Sequence, residues 1–274
     1  MSERVVLVTG STDGIGRATA RAIAAAGCKV IVHGRSKAKV DKTLAELAGE
    51  LPGAVLEGVS FDLGSQTAVR NGAAQILERL PALHAVVHNA GIFASERTLT
   101  EDGVELTFAV NYLGPFLLTA LLAPRLIDSA TAAPSRVIQV ASIAHSRGRI
   151  HLDDLTLANA WTGYAAYAQS KLAQVMHAMT IGEKHDASKL VAYSLHPGVI
   201  ATKLLRQGFG PVAGASTETG AKTSARLATA EAVSPDEPSG SYLSEGVVTP
   251  PASAARDAAA RTALWEHSAR LAKL

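Results

Sequence analysis

Short runs of β-branched and other apolar residues alternate along the chain with longer alanine-rich stretches whose apolar positions recur at helical spacing. Runs of this length, with few polar positions, are typical of strands buried on both faces. They predict strands at Val5–Val8, Lys29–His33, Ala54–Ser60, Ala85–His88, Arg136–Ala141 and Leu190–Leu195. The stretches between them predict helices at about 15–26, 37–50, 65–79, 103–128, 163–184 and 217–230, and a last helix at about 253–272.

This alternation predicts an α/β fold. Each parallel crossover needs a covering element of right-handed sense, so helices should lie on both faces of a parallel sheet. The Pro/Gly-rich stretches 208–214 and 234–251 are interpreted as loops, because neither half of the chain could close a sheet alone. We therefore predict a doubly wound parallel sheet of the Rossmann type, in a single domain over residues 1–274.

Composition narrows the function class. The net charge of the 274 residues is only +2 and no run of five like charges occurs, so a nucleic-acid partner is not expected. Cys28 is the only cysteine, which excludes an internal disulfide and fits a reducing compartment. The start MSERVVLVTG lacks the features of a signal peptide, and no apolar run approaches the roughly 18 residues of a membrane helix. These observations predict a cytoplasmic enzyme without a membrane partner.

A glycine-rich turn, TGSTDGIGRATA, follows the first predicted strand and opens the first predicted helix. Gly10, Gly14 and Gly16 lie where the backbone can approach a pyrophosphate and the helix N-terminus can donate N–H groups. The alternative is a tight βα turn without a ligand. The nine histidines show no metal-binding spacing and there is no HExxH sequence, so no metal site is predicted.

With Thr9, the glycine spacing resembles the TGxxxGxG signature of the short-chain dehydrogenase/reductase family. HNAG at His88–Gly91, Asn111, Ser142 and Tyr167-x-x-x-Lys171 follow in the family's order over nearly the whole chain. The segments LHPGVIATKL and ALWEHSARL resemble its retinol-dehydrogenase-like branch. The resemblance implies a nicotinamide cofactor bound by Thr9, Gly10, Ser11, Thr12, Gly14, Ile15, Gly16, Asp62, Leu63, Asn89, Ala90, Gly91, Asn111, Tyr167, Lys171, Pro197, Gly198, Val199 and Thr202.

Some of these implied roles are specific. Asp62 should take the adenine amine, its alternative role being a helix N-cap for which Ser65 is better placed. Asn89 should steady the central strands, whereas His88 is interpreted as a strand-end residue outside the chemistry. Val199 or Thr202 should contact the carboxamide.

Cofactor preference should be decided at the end of the second strand, which continues as His33-Gly34-Arg35-Ser36-Lys37 with no acid before Asp41. An acid there would bind the ribose hydroxyls of NAD, whereas a guanidinium accommodates the 2′-phosphate of NADP. Arg35 can fork onto a phosphate and Arg17 could assist. The alternative is that Arg35 only caps a surface loop, and the charge of Asp13 counts against a nearby phosphate. The sequence favours NADP(H), with NAD(H) as the alternative.

Two tyrosines precede one lysine in the helical segment YAAYAQSKLAQ. A tyrosine serves as proton donor or base only if its pKa is pulled down, which a neighbouring ammonium does. Lys171 lies about 6 Å along the helix from Tyr167 but about 10 Å from Tyr164. Tyr167 is therefore the predicted donor, unless the pair is an ordinary surface contact. Tyr164 is interpreted as a core residue or, alternatively, as a residue that lines the pocket.

Ser142 and Asn111 complete the predicted catalytic set with Tyr167 and Lys171. Ser142 follows the fifth strand, where ligands of such sheets bind, and its hydroxyl can hold the substrate oxygen, although serine also favours turns. Pro115 deprives the Asn111 carbonyl of its helical partner. In the resembled family that carbonyl holds a water of a proton relay; the alternative is a kink without chemistry. The resemblance also implies that Lys171 binds the nicotinamide ribose.

Three segments are predicted to wall the substrate, 92–103, 143–163 and 199–219, with residues 144–162 forming a loop beside the pocket. Their larger apolar residues suggest a hydrophobic ketone, aldehyde or alcohol; these are Phe93, Ile143, Ile150, Trp161, Leu204, Leu205 and Phe209. An NADP(H)-dependent oxidoreductase is the favoured function. An NAD(H)-dependent dehydrogenase, a non-redox lyase and a nucleotide-sensing protein are the alternatives. The resemblance further implies a homo-oligomer that pairs through the helices holding Asn111 and Tyr167.

Overall fold

A computed structural model describes residues 4–274, so the charged lead Met1–Glu3 lies outside the described residues. Within that range eight strands form a sheet of order β3-β2-β1-β4-β5-β6-β7-β8. Neighbouring strands are parallel except β7 and β8, which are antiparallel. The strands are β1 Val5–Val8, β2 Lys29–Gly34, β3 Leu56–Ser60, β4 Ala85–His88, β5 Ser135–Val140, β6 Leu190–His196, β7 Tyr242–Ser244 and β8 Val247–Val248.

Helices fill the crossovers, and most begin at a side chain that accepts a hydrogen bond from the first turn, as Ser36, Ser65 and Thr162 do. A π-helical turn, Ala109–Leu113, joins α4 to α5, and a 3-10 helix, Ile143–Arg147, follows β5. The α-helices are α1 Gly14–Ala25, α2 Lys37–Glu50, α3 Gln66–Arg79, α4 Leu106–Phe108, α5 Gly114–Ser129, α6 Gly163–Lys184, α7 Lys203–Phe209, α8 Thr217–Thr229, α9 Ser253–Arg256 and α10 Ala258–Leu271.

Two apolar cores lie on opposite faces of the sheet, as the doubly wound prediction requires. Because successive side chains of a strand point to opposite faces, Val86 of β4 packs into one core while Ala85 and Val87 pack into the other. The first core lies beneath α3, α5, α6 and α10, and the second beneath α1, α2 and α8. The predicted fold class is confirmed.

The direction of strand order reverses between β1 and β4, which lie side by side at the centre of the sheet. Crossovers from these two strands run to opposite sides, and this separates the loops at their carboxyl ends. Such a switch point is where open parallel sheets bind ligands. The glycine-rich turn follows β1 there, and Asn89 follows β4.

Helix α10 lies across the helices of the first core. The Trp265 ring packs edge-on against Phe116 of α5, with centroids 5.0 Å apart, and 5.7 Å from the His177 ring of α6. The hydroxyl groups of Tyr112 and Ser268 share a buried hydrogen bond of 2.8 Å. The C-terminal helix is therefore bonded directly to the π-helical turn.

Three sequence predictions need correction. The helix predicted at 103–128 begins at Leu106 and is interrupted by the π-helical turn, and the predicted last helix is divided at Asp257. The prediction that no apolar run is long enough to span a membrane was too strict, since the 24-residue stretch Leu106–Ser129 contains an 18-residue window with a mean hydropathy of 1.7. In the fold 72% of that apolar window is buried, as in a core helix.

Candidate active site

The glycine-rich turn packs against the end of β4 more closely than side chains would allow. Gly10 and Gly14 adopt φ values of +63° and +55°, the left-handed region that favours glycine. A Cβ on Gly10 would lie 2.7 Å from the Cα of Ala90. A Cβ on Gly16 would lie 2.3 Å from both the Asn89 Nδ2 and the Gly10 carbonyl oxygen. Gly10 and Gly16 therefore bring the turn and the start of α1 onto the end of β4, while Gly14 supplies the left-handed φ at the first residue of α1.

Reciprocal hydrogen bonds clamp β1 to β4 behind this turn. The Thr9 hydroxyl oxygen accepts hydrogen bonds from the backbone N–H groups of Asn89 and Ala90, at 3.0 and 3.1 Å. The Asn89 amide nitrogen donates in return to the carbonyls of Thr9 and Gly10, at 3.0 and 3.3 Å. Asn89 thus steadies the central strands, as the family resemblance implied.

His33 supports the turn from the end of β2, a role that the sequence analysis missed. Its Nδ1 accepts a hydrogen bond from the Gly10 N–H at 3.2 Å, which leaves the proton on Nε2 to donate to the Phe61 carbonyl at 3.1 Å. Burial lowers the pKa of His33 to about 4, so the ring is neutral at physiological pH. A lone histidine within an apolar strand was the available signal.

Ser142, Tyr167 and Lys171 come together at the carboxyl end of β5. Ser142 caps the 3-10 helix, its hydroxyl oxygen accepting the Ala144 N–H at 3.2 Å. The Lys171 Nζ lies 5.4 Å from the centroid of the Tyr167 ring, one helical turn away as predicted. The Lys171 Nζ donates hydrogen bonds to the Val140 carbonyl and to the Gln174 side-chain oxygen, both at 2.9 Å.

Burial dominates the ionisation of both groups. It raises the pKa of Tyr167 to about 12, while the hydrogen bond with Ser142 acts in the opposite direction. Burial also lowers the pKa of Lys171 to about 7. The expectation that Lys171 pulls the tyrosine pKa below 10 is therefore wrong for this structure, because desolvation of the phenolate exceeds any stabilisation by the ammonium.

Asn111 is fully buried in the π-helical turn and does not reach the cavity described below. Its side chain pairs with the backbone of Ile92, accepting at 2.8 Å and donating at 3.0 Å, and donates also to the Ser170 hydroxyl at 3.0 Å. A Cβ built on Gly91 would lie 3.5 Å from the Asn111 Oδ1 and 3.6 Å from the Lys171 Nζ. Asn111 and Lys171 are thus near neighbours.

One cavity of about 820 Å³ runs from the glycine-rich turn to Ser142, Tyr167 and Lys171. Of the predicted site residues, Thr9, Ser11 and Asn111 lie behind its wall and the others line it. The lining set comprises Gly10, Thr12, Gly14, Ile15, Gly16, Arg35, Asp62, Leu63, Asn89, Ala90, Gly91, Ser142, Tyr167, Lys171, Pro197, Gly198, Val199 and Thr202.

Comparison with known proteins supplies the family. The family model for short chain dehydrogenase matches residues 4–209. Retinol dehydrogenase 13 of Homo sapiens is 35% identical to the chain, over 99% of this chain and 85% of the relative. The chain belongs to the short-chain dehydrogenase family. Family membership makes this dehydrogenase an NAD(P)-dependent enzyme that acts on CH–OH groups.

Further relatives agree with this assignment. Polyprenol dehydrogenase of Mus musculus is 35% identical over 98% of this chain and 83% of its own length. A crystal structure of an uncharacterized protein from Mycobacterium Paratuberculosis superposes on the dehydrogenase with a TM-score of 0.80, at 30% identity over 98% of this chain and 93% of that chain. The predicted resemblance to the retinol-dehydrogenase-like branch is confirmed.

The cavity wall fits a dinucleotide in this dehydrogenase. The glycine turn lines the cavity with Gly10, Gly14 and Gly16 and offers backbone N–H groups at the start of α1. Asp62 lines the wall, and its Oδ1 accepts the Gly64 N–H at 2.8 Å. The N-cap of α3 is Ser65, as expected, so Asp62 is not used for capping.

The two arginines near the end of β2, Arg35 and Arg17, differ in how closely carboxylates hold them. Arg35 is 81% exposed in its side chain, and its Nη1 lies 3.8 Å from the Asp62 carboxylate. Arg17 instead pairs with Glu46 and Glu50 of α2, at 3.2 and 2.6 Å. Arg17 also lines the cavity, but its guanidinium is held by these two carboxylates, so its help to Arg35 stays a prediction.

Asp13 has a structural partner in the dehydrogenase. It caps α1 by accepting the Gly14 N–H at 2.8 Å, and its carboxylate pairs with Lys203 at the start of α7. The hydrogen bond from Lys203 lowers the pKa of Asp13 from its usual value. The negative charge beside the turn is thereby partly compensated.

Segment 199–219 supplies most of the apolar wall near Tyr167, including Leu204, Leu205 and Phe209, and Ile143 adds to it. Phe93 lies behind the wall, 5.5 Å from the Tyr167 ring centroid. Ile150 packs on the first core instead, and the Trp161 indole N–H donates to Glu105 at 3.2 Å. No residue of 144–162 lines the cavity, and Gln169 holds the backbone of this segment at His151 and Leu155. A role of this loop towards the substrate stays a prediction.

Tyr164 is neither a core residue nor part of the cavity lining. It is 37% exposed, and its ring packs edge-on against Phe209 with centroids 6.2 Å apart. The favoured core interpretation was wrong because Tyr164 stands in the first turn of α6, where the helix leaves the surface.

Residues 4–274 contain no cluster of three or more potential metal ligands. Location in the cell and pairing of subunits stay predictions.

Proposed function

We propose that the protein is an NADP(H)-dependent oxidoreductase that transfers a hydride between the nicotinamide and a hydrophobic carbonyl or alcohol. One observation carries the proposal. The same cavity has the glycine-rich turn at one end and Ser142, Tyr167 and Lys171 at the other. A dinucleotide and a small substrate can therefore share it.

The roles of the side chains follow from their chemistry. When bound, the cofactor supplies the hydride in reduction and accepts it in oxidation. The hydroxyl groups of Ser142 and Tyr167 both donate to the carbonyl oxygen, which stabilises the charge that develops there. With a pKa raised to about 12 by burial, Tyr167 is a neutral phenol at physiological pH, the state required of a proton donor.

Lys171 and Asn111 serve the proton that Tyr167 gives up. An ammonium has three N–H donors, of which Lys171 uses two on Val140 and Gln174, and one is left for a ribose hydroxyl or a water. The π-helical turn at Asn111 alters the local i→i−4 pattern, and the Asn111 side chain is anchored to Ile92. We propose that the Asn111 carbonyl holds a relay water next to Lys171.

Arg35 favours NADP(H) over NAD(H). Arg35 directly follows β2 and lines the cavity. No acidic residue occurs between the end of β2 and Asp41. A planar guanidinium matches a phosphate in two hydrogen bonds. The Arg35 guanidinium lies 3.8 Å from the Asp62 carboxylate and most of the Arg35 side chain is exposed. Arg35 can therefore turn towards the 2′-phosphate.

The wall near Tyr167 supports a long apolar substrate. Leu204, Leu205, Phe209 and Ile143 line that end of the cavity, and Phe209 is 38% exposed at its rim. Apolar walls with a few converging polar groups are typical of sites for hydrophobic small molecules. Two relatives are named for retinol and polyprenol, and we propose an isoprenoid-like alcohol or aldehyde as the substrate class.

The decisive experiment follows absorbance at 340 nm with NADPH or NADH and a panel of carbonyls, from short polar ketones to long unsaturated aldehydes. We expect turnover of the apolar members with NADPH at a kcat/KM at least about tenfold above that with NADH. Equal efficiency with the two cofactors, or a preference for NADH, contradicts the proposed role of Arg35. Arg35→Glu should reverse the preference.

A pair of tyrosine variants tests the catalytic assignment. Tyr167→Phe should lose about a hundredfold or more in kcat while cofactor binding, measured by NADPH fluorescence, is kept. Tyr164→Phe is the matched control on the same helix and should stay near the wild type. Wild-type turnover by Tyr167→Phe would remove the proposed mechanism.

A further inference from the structure

A continuous line of buried polar side chains leads away from Lys171 into the first core. The Lys171 Nζ donates to the Gln174 Oε1 at 2.9 Å, and the Gln174 Nε2 donates to the Gln139 Oε1 at 3.4 Å. The Gln139 Nε2 then contacts the His177 Nδ1 at 3.0 Å. Each of these four side chains is at most 3% exposed. Buried amides in such numbers need a reason, since an apolar core would avoid their desolvation.

The lysine determines the direction of every bond in this line. An ammonium only donates, so Gln174 must turn its oxygen towards Lys171 and its amide nitrogen towards Gln139. Gln139 then turns its own nitrogen towards His177, whose Nδ1 must accept. The negative end of each amide dipole therefore faces the ammonium, and the line stabilises a positive charge at the Nζ.

We propose that Gln174, backed by Gln139 and His177, is the positioning residue that holds the Lys171 ammonium beside Tyr167. This rests on the proposed function, in which Lys171 serves the proton of Tyr167. The second protein acceptor, the Val140 carbonyl, belongs to the main chain of β5. Gln174 is thus the side chain through which the sequence can adjust the charge of Lys171.

The surroundings of Lys171 give this acceptor particular weight. The titratable groups that face the line are Tyr167 on the same helix, His177 at the far end, Tyr112 of the π-helical turn and His88 of β4. His185, which follows the same helix, also acts on His177 through its charge. Burial alone lowers the pKa of Lys171, and no carboxylate contributes to it among residues 4–274. Gln174 therefore replaces the carboxylate that a buried ammonium would otherwise require.

Substitutions of opposite sign test the proposal. Gln174→Met keeps the volume and removes the acceptor, so the titration midpoint of Lys171 should fall by about one to two units. Gln174→Glu adds a negative charge at the same place, so the midpoint should rise. Gln169→Met is the matched control, because Gln169 is a buried amide of the same helix that bonds to the 151–155 backbone and not to Lys171.

The midpoint is measured by NMR of protein with carbon-13 at the lysine Cε, the resonance missing from Lys171→Met giving the assignment. The pH profile of kcat should shift by the same amount as the Lys171 midpoint. At a pH above the midpoint, kcat of Gln174→Met should fall about tenfold for each pH unit by which the midpoint falls, while KM stays unchanged. A change of stability alone would not shift the Lys171 midpoint and the pH profile of kcat downwards in Gln174→Met and upwards in Gln174→Glu.

Outcomes separate the two proposals. Unchanged midpoints in both Gln174 variants, or shifts of the same sign, overturn the positioning role even if the enzyme is active. Midpoint shifts as expected in a protein that reduces no carbonyl uphold the positioning role and reject the proposed function. If Gln174→Met does not fold, Gln139→Met provides the same test, with a smaller fall expected because Gln174 keeps its oxygen but loses its support.

Discussion

Acid should destabilise this protein through three buried histidines, His33, His88 and His177. Burial lowers the pKa of His33 to about 4, and burial lowers the pKa of His88 and of His177 to about 3. In the unfolded chain each returns to its usual 6.5. Above that value neither state binds the proton, so the three contribute no pH dependence.

As the pH falls below 6.5, these histidines bind protons in the unfolded chain but not in the folded protein. The free energy of unfolding therefore falls until the pH reaches the pKa of the folded state. Between pH 7.5 and pH 5 each histidine should lower it by about 2 kcal/mol, since one unit of pKa corresponds to about 1.4 kcal/mol. Together the three should remove about 6 kcal/mol, which is comparable with the whole stability of an ordinary domain.

His88 allows a test of this magnitude. Its Nε2 shares a 2.7 Å hydrogen bond with the Thr119 hydroxyl, and the residue does not line the cavity. In His88→Gln the difference in unfolding free energy between pH 7.5 and pH 5, from urea titrations followed by circular dichroism, should be about 2 kcal/mol smaller than in the wild type.

Thr119→Val is the matched control. It removes the same hydrogen bond but keeps the histidine, so it should lower stability at both pH values and preserve the wild-type difference between them. If His88→Gln retained the full wild-type loss on acidification, the linkage argument for this histidine would be refuted.

Three further outcomes are expected. Gly16→Ala should lower the free energy of unfolding by about 1–3 kcal/mol and abolish tight NADPH binding measured by fluorescence, because the added Cβ would lie 2.3 Å from two neighbouring atoms. Gly49→Ala is the control and should bind NADPH normally, since its Cβ would have nothing within 4 Å. Phe209→Ala should raise KM about tenfold for long apolar substrates but not for short ones, since it removes part of the apolar wall. Asp13→Ala should cost about 1 kcal/mol in urea titrations through loss of the α1 cap, and Lys203→Met, which removes only the exposed ion pair, should cost less.

Periodicity and local chemistry made most of the fold predictable. Strands β1 and β4 and helices α2 and α6 have the bounds expected from the sequence, because each is long or apolar enough to show its period. Strands β7 and β8 were not predicted, since elements of three and two residues show no period. The π-helical turn was anticipated only as an irregularity before Pro115.

In the candidate site, residues whose type is chemically demanding were predictable, such as Gly10, Ser142 and Tyr167. Contacts between residues far apart in sequence were not. His33 bonds to Gly10 across two strands, and the partner of Gln174 comes from β5. The pKa of Tyr167 was predicted in the wrong direction, because the balance of burial against charge depends on packing that the sequence does not display.

Helix α10 has a consequence for how the enzyme can be shortened or assembled. Its Ser268 bonds to Tyr112, the neighbour of Asn111, and its Trp265 covers Phe116 and His177. Removing the last 17 residues would therefore remove the outer support of the helices that carry the reacting groups, although no residue of α10 lines the cavity. Two subunits that met at this face would have to dock on α10 or displace it, so subunit pairing and catalytic rate would be coupled through the C-terminus.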